Sequence, residues 1–317
     1  MQRRMLGTTG FAVAPLAFGG NVLGWTTNEG TSFALLDAFV AEGGNLIDTA
    51  DSYSRWVAGH EGGESETIIG RWIARRGRHD DVVIATKVGS DMGLGRKCLR
   101  RDYILRAAED SLRRLNVDTI DLYQSHWDDA DTPLEETLEA YSRLIHAGKV
   151  KAIGASNLSA ERLAQALAVS RSHGLPSYAT LQPHYNLIER KGFEGALQDL
   201  CVREGIGVIT YFSLASGFLT GKYRSEKDFA KSARGGGMGK HLHPRGHAIL
   251  AALDDVSARL AATPAQVALA WLMTRPSVVA PIASATSVAQ LAEIMGATRV
   301  TLDAAALTAL DAASSTG

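Results

Sequence analysis

The chain has 317 residues, 45% of them hydrophobic and 21% charged, with a formal net charge of −1. That is ordinary composition for a folded globular chain, and its charge balance gives no global reason to expect nucleic acid or an anionic membrane as partner. Two cysteines, Cys98 and Cys201, in no CxxC spacing argue against a disulfide scaffold or a zinc site and fit two free thiols in a reducing compartment.

Arg3-Arg4 invites a twin-arginine reading, which would need an unbroken apolar core before a small-residue cleavage site. Instead Gly7-Thr8-Thr9-Gly10 is a turn signal and Pro15 interrupts the next apolar run. No run approaches the ~20 apolar residues of a spanning helix, so a cytoplasmic protein is expected. Residues 2–13 read as a small hairpin turning at Thr9-Gly10 and capping a barrel floor. Strand one, about 15–18, ends in Phe18-Gly19-Gly20-Asn21, where two glycines let another backbone or a flat ligand come close. A helix at about 31–42 carries Phe33, Leu36, Phe39 and Val40 at helical spacing and stops at Gly43-Gly44.

The next apolar run, Leu46-Ile47, ends abruptly at Asp48, and a polar loop delivers Tyr53. A Gly-rich stretch, Gly59 to Gly63, precedes helix two at about 64–76. Strand three (82–87) ends on Lys87, helix three covers about 102–115, and strand four (119–124) leads to His126. Thr132-Pro133-Leu134-Glu135 combines a capping box with proline at the first helical position and starts helix four. Strand five is 150–153, helix five 159–172, strand six 178–181, helix six 193–204 and strand seven 206–210. A short helix at about 247–261 precedes a second box with proline, Thr263-Pro264-Ala265-Gln266, which opens helix seven. Strand eight is 278–282, Ser287-Val288-Ala289-Gln290 starts helix eight, and Asp303 caps a final helix.

Regular strand-helix alternation signals a parallel sheet. A count near eight strands favours a closed (β/α)8 TIM barrel of α/β class, with an N-terminal β-hairpin and extra C-terminal helices. No GxGxxG follows strand one, which counts against a Rossmann sheet. No linker-like composition divides residues 1–317, so one domain is expected. In such a barrel all strand ends open on one face, and loops there carry the chemistry. Asp48, Tyr53, Lys87 and His126 can therefore converge. Asp48 and Lys87 alone could be a structural ion pair, Tyr53 alone loop packing, and His126 alone a solvent-facing residue; four together at consecutive strand ends make coincidence unattractive.

That set resembles the aldo-keto reductase family, whose tetrad is Asp, Tyr, Lys and His in this order. The motifs GASN (Gly154 to Asn157), LQPHYNL (Leu181 to Leu187) and YFSLASGFLTGKY (Tyr211 to Tyr223) extend the resemblance over nearly the whole chain. It implies an oxidoreductase moving hydride reversibly between NAD(P)H and a carbonyl or alcohol. Tyr53 would be the general acid/base, its pKa of about 10 pulled down by the Lys87 ammonium, with Asp48 holding that lysine and His126 orienting the substrate oxygen.

The resemblance also implies a cofactor site. Ser156, Asn157 and Gln182 would bind the nicotinamide carboxamide, although Ser156 or Asn157 could equally be a helix N-cap. Tyr211 would stack on the nicotinamide ring, with Gly20, Asn21 and Asp48 nearby. Ser213, Leu214, Gly217, Leu219, Gly221 and Lys222 would line the pyrophosphate loop. Ser284, Thr286, Gln290 and Glu293 would meet the adenosine end. There the chain departs from the family: Thr286 stands where an arginine commonly contacts the 2′-phosphate, and Ile294 where an asparagine stands. NADP is expected from the family, with NAD as the alternative.

Between Lys222 and His247, seven cations (Lys222, Arg224, Lys227, Lys231, Arg234, Lys240, Arg245) face two acids, Glu226 and Asp228. This reads as an anion-binding belt, made mobile by Gly235-Gly236-Gly237 and able to order over bound cofactor, or else as a solvated loop. His241 and His243 in that loop form a possible metal pair expected to be solvated. Trp25, Trp56 and Trp127 follow strands one, two and four and suggest an aromatic-walled substrate pocket. Two other classes of protein are alternatives. A nicotinamide-binding regulatory protein like the channel β-subunits would share fold and tetrad. A metal-dependent hydrolase would need clustered His and carboxylates at strand ends, where only His126 and Asp48 sit.

Overall fold

The structure, a computed structural model, describes residues 1–315. Eight strands close into a parallel barrel: β3 (Ala17–Gly19), β4 (Leu46–Asp48), β5 (Val83–Val88), β6 (Ile120–Ser125), β7 (Val150–Ser156), β8 (Thr180–Gln182), β9 (Gly207–Thr210) and β10 (Val278–Ala283), the last pairing back onto β3. Helices α1 (Glu29–Ala41), α2 (Glu64–Arg76), α3 (Arg101–Leu115), α4 (Leu134–His146), α5 (Ala160–His173) and α6 (Ala196–Glu204) follow β3 to β8. Between β9 and β10 come 3₁₀ turns, then α7 (Pro244–Leu260) and α8 (Pro264–Met273); α9 (Val288–Met295) and α10 (Ala304–Ser314) complete the chain. This is the (β/α)8 barrel expected. No helix among the described residues is long and apolar enough to cross a membrane.

The strands read as short apolar runs because both faces are buried. Outward side chains join a large core beneath the helices, while Ala17, Leu46, Ala85, Leu122, Ile209 and Ala280 fill the barrel interior. The hairpin β1 (Arg4–Met5) and β2 (Ala12–Val13) pairs antiparallel and seals the floor, burying Leu6 and Val13 in that interior cluster. Gly7 makes this plug possible: at φ 55° it lies so close to the sheet that a Cβ would sit 2.1 Å from the Ala179 carbonyl oxygen.

Helix ends follow their local chemistry in most places. Gly43, at φ 89°, lies just beyond the end of α1; Thr263 and Gln266 form their capping box at α8, and Asp303 accepts from Ala306 N at α10. The expected box at α4 does not form. Thr132 donates its hydroxyl to Asp129 (2.7 Å), and Asp129 also accepts Leu99 N (2.8 Å), so the pair ties the loop after β6 to the segment before α3 and leaves Pro133 as the cap. β7 runs three residues past its expected end because Ser156 pairs with Gln182 of β8, and Ser159, not Ser156 or Asn157, caps α5. α7 starts three residues early, at Pro244, because the His243 ring accepts from Gly246 N.

Candidate active site

β4 and β5 run in register, pairing Asp48 with Ala85, so Asp48 and Lys87 leave the sheet beside each other. Lys87 Nζ reaches Asp48 Oδ2 (2.7 Å), the Thr49 carbonyl (2.8 Å) and Tyr53 Oη (2.8 Å). Both members of the ion pair are almost fully buried, at 0% and 1% side-chain exposure. The loop that carries Tyr53 is held by Asp51 N donating to the Lys87 carbonyl and by Ser54, at φ 73°, donating its hydroxyl to the Leu23 carbonyl. Tyr53 Oη donates to Asp48 Oδ2 (3.1 Å). His126 N donates to the Val88 carbonyl, which sets the imidazole beside the phenol, ring centres 6.1 Å apart. All four expected residues converge.

The electrostatics differ from expectation in one respect. Burial, and then the Asp48 carboxylate, hold the Tyr53 phenol well above its ordinary value, the reverse of the expected lowering. The reason is that Lys87 is already paired to Asp48, so the phenol meets a desolvated ion pair with little net positive charge. Burial also lowers Lys87, against the pull of Asp48. His126 lies well below its ordinary value through burial and the nearby Lys87, so its imidazole is neutral. The arrangement is a protonated phenol bridging a carboxylate and an ammonium, next to a neutral imidazole: a poised proton donor for an oxygen placed at the barrel mouth.

Ser156 donates to the Gln182 carbonyl (2.7 Å), and Gln182 Nε2 donates to Asp48 Oδ1 (2.8 Å). Gln182 Oε1 is left with no partner among the described residues and is not sealed from solvent. Asn157, left-handed at φ 58°, spends its amide on the His126 carbonyl and the Tyr211 hydroxyl (2.7 Å). Tyr211 stacks on His184, ring centres 5.2 Å apart. Beyond it the backbone is left-handed at Phe212, Ala215, Ser216 and Gly217. Such a run, three of its members not glycine, is strain of the kind held at ligand-binding loops, and its turned amides suit an anion. Only Gly217 signals it in the sequence. Ser213 is tied to the Thr210 carbonyl, while Leu219 N and Gly221 N close the turn on Leu214 and Phe218.

At the far rim Ser284 donates to Asn21 Oδ1 (2.7 Å), and a Cβ on Gly20 would lie 2.9 Å from the Asp48 carbonyl oxygen. Thr286 donates its N–H and hydroxyl to Gln290 Oε1, so this position presents no cation. Glu293 is exposed on α9, and Ile294 is buried in the core.

The three tryptophans stand at the mouth. Trp25 and Trp56 meet edge to face (5.5 Å), Trp56 also touches Tyr53, and Trp127 stacks on His126 (5.8 Å). The basic segment folds into two 3₁₀ turns, Glu226–Lys231 and Gly235–His241, and much of its charge is used internally. Arg224 pairs with Asp254, Lys231 with Asp228, and Arg245 binds the carbonyls of Ile188 and Ser314. Arg234 lies over the Trp25 ring (5.1 Å). His241 is buried against Phe218 and His243 caps α7, so the expected solvated pair is not one.

In the loop between Asp48 and Tyr53, Asp51 is buried with Oδ1 unpartnered, while buried Glu66 holds Thr86 (2.5 Å) and Arg114 (2.7 Å). Burial and then Glu66 push the Asp51 carboxyl up to about 8. The folded protein therefore keeps a proton that the unfolded chain, with its ordinary value near 4, has released, so this group's contribution to stability is lost as pH rises from about 4 to about 8. Asp51→Asn is expected to flatten that loss and stabilise the protein by about 1–3 kcal/mol at pH 8, with little effect at pH 5. Urea unfolding at the two pH values measures it; equal changes at both would place the titrating group elsewhere.

The fold and site together are a closed parallel barrel with a phenol, an ammonium, a carboxylate and an imidazole gathered at its carboxyl end, the face on which barrels of this kind carry their sites. The model of the aldo/keto reductase family matches residues 15–315, and the chain belongs to that family of oxidoreductases. It is similar to an uncharacterized oxidoreductase, YrpG, of Bacillus subtilis (35% identity, covering 96% of this chain and 93% of the relative). It is also similar to protein tas of Escherichia coli (31%; 92% and 91%) and to a probable voltage-gated potassium channel subunit beta of Arabidopsis thaliana (32%; 95% and 92%).

Proposed function

We propose that the chain, acting as one domain, catalyses reversible hydride transfer between NAD(P)H and an aldehyde, ketone, sugar or secondary alcohol. The observation that carries this reading is the Tyr53 hydroxyl held between Lys87 Nζ and Asp48 Oδ2 at the barrel mouth. In reduction Tyr53 gives its proton to the carbonyl oxygen, and the phenolate that results is stabilised by Lys87 at 2.8 Å. His126 holds the same oxygen from the other side. In oxidation Tyr53 acts as base. Trp25, Trp56 and Trp127 wall the substrate space and favour a moderately apolar carbonyl over a highly charged one.

The residues fit a nicotinamide dinucleotide. Gln182 Oε1 is free to accept from a carboxamide, the Tyr211 ring suits stacking, and the left-handed turn at Phe212–Gly217 suits a pyrophosphate. Asp48, Ser156 and Asn157 would border the nicotinamide; Ser213, Leu214, Leu219, Gly221 and Lys222 would continue the phosphate loop. Gly20, Asn21, Ser284, Thr286, Gln290 and Glu293 would line the rest. When bound, the reduced cofactor supplies the hydride. NADP is our first choice, on the family's usual preference, and NAD the second, because Thr286 and its Gln290 contact offer no charge for a 2′-phosphate.

Titrating NADPH and NADH against intrinsic tryptophan fluorescence tests the reading directly; binding of neither would overturn it. Thr286→Arg is expected to tighten NADPH relative to NADH by about tenfold, the effect of one charge-assisted contact. An unchanged ratio would mean that this position does not face the phosphate. Similarity to the channel subunit supports a second reading, a nicotinamide-binding regulatory protein with slow turnover. Release of oxidised cofactor on each cycle, followed by stopped-flow fluorescence, separates the two.

A further inference from the structure

His126 is held by two hydroxyls that the tetrad does not include. Ser90 Oγ lies 3.0 Å from His126 Nδ1, and Ser52 Oγ lies 3.5 Å from the same nitrogen. Neither hydroxyl has another hydrogen-bond partner among the described residues, and Ser90 is buried. The ring is further fixed by stacking on Trp127 and by Asn157, which donates to the His126 carbonyl. Its other nitrogen, Nε2, has no protein partner among the described residues and is not sealed from solvent.

A neutral imidazole carries one proton, on either nitrogen, and the other nitrogen accepts. If Nδ1 carried it, Ser90 would have to accept, and its own O–H would be left buried with no acceptor, which is costly. If Ser90 donates, every buried donor is used and the ring proton falls on Nε2. We propose that Ser90, backed by Ser52, is a positioning residue that locks His126 in the Nε2–H tautomer, so that the imidazole donates to the substrate oxygen. This rests on the carbonyl-reduction reading and adds to it the proton that orients the substrate. Burial and the neighbouring Lys87 keep the ring neutral, so that the choice of tautomer matters.

The test is long-range proton–nitrogen correlation NMR on ¹⁵N-histidine-labelled, ligand-free protein. His126 is assigned among the nine histidines by the peaks lost in His126→Gln. The wild type is expected to show an unprotonated Nδ1 and a protonated Nε2. Ser90→Ala is expected to shift the ring toward the Nδ1–H form and to lower kcat/KM for carbonyl reduction about tenfold with NADPH affinity unchanged; Ser90→Thr, which keeps the hydroxyl, restores both. A wild-type ring protonated on Nδ1, or a Ser90→Ala protein with the wild-type tautomer and rate, would overturn the proposal. The wild-type spectrum decides even if Ser90→Ala fails to fold. Because the tautomer is read without substrate, a correct tautomer in a protein that reduces no carbonyl would count against the proposed function and not against the serine's hold on the ring.

Discussion

Tyr53→Phe is expected to reduce carbonyl turnover by about 10²- to 10⁴-fold, the usual contribution of a positioned proton donor. The hydroxyl is the group that links Lys87 and Asp48 to the mouth, and among the described residues no other phenol is bonded to that pair. Phenylalanine keeps the ring and with it the edge contacts to Trp56 and His126. Lys87 Nζ keeps two of its three partners, Asp48 and the Thr49 carbonyl, so stability should fall by only about 1 kcal/mol. NADPH affinity, read by tryptophan quenching, should stay close to wild type. A variant with wild-type kcat would remove Tyr53 from the chemistry and leave the tetrad as a structural network.

The largest effect on stability is expected from the ion pair below it. Lys87→Met leaves the Asp48 carboxylate buried at 1% exposure, supported by Gln182, Gln124 and Tyr53 but with no cation. Breaking a buried pair from one side typically costs about 3–5 kcal/mol, because the partner's desolvation is no longer offset. Adding Asp48→Asn in the same chain removes the stranded charge, so the double variant should recover most of the loss while remaining inactive. Urea unfolding at pH 7 of both single variants and the double completes the cycle. If Lys87→Met were as stable as wild type, or if the double were no better than Lys87→Met, the pair would not carry the buried charge that its geometry indicates.

Much of the site was legible because a strand end is a local event. Leu46-Ile47 and then Asp48, the run ending at Lys87, and the run ending before His126 each mark where apolar burial stops and a polar group begins. The barrel then brings such ends together whatever their separation along the chain, which is why Asp48 and Gln182 meet across 134 residues. Helix caps were legible where the capping group had no competitor, as at Thr263. They failed at Thr132, where Asp129 offers a carboxylate acceptor already shared with Leu99 N.

The sequence by itself determined the order of strands and helices, the closed barrel, and four polar residues at the carboxyl ends of its strands, because apolar periodicity and turn residues act over a few neighbours at a time. Only the tertiary structure decided how those groups are charged and held. Tyr53 is raised because burial and then Asp48 outweigh a lysine that is already paired; Asp51 is raised by burial and then by Glu66 folded beside it; His126 is bracketed by Ser90 and Ser52; and Arg234 leaves the basic run to lie on Trp25. Each of these depends on desolvation and on the distance to groups far away in sequence, quantities that exist only once the chain has closed.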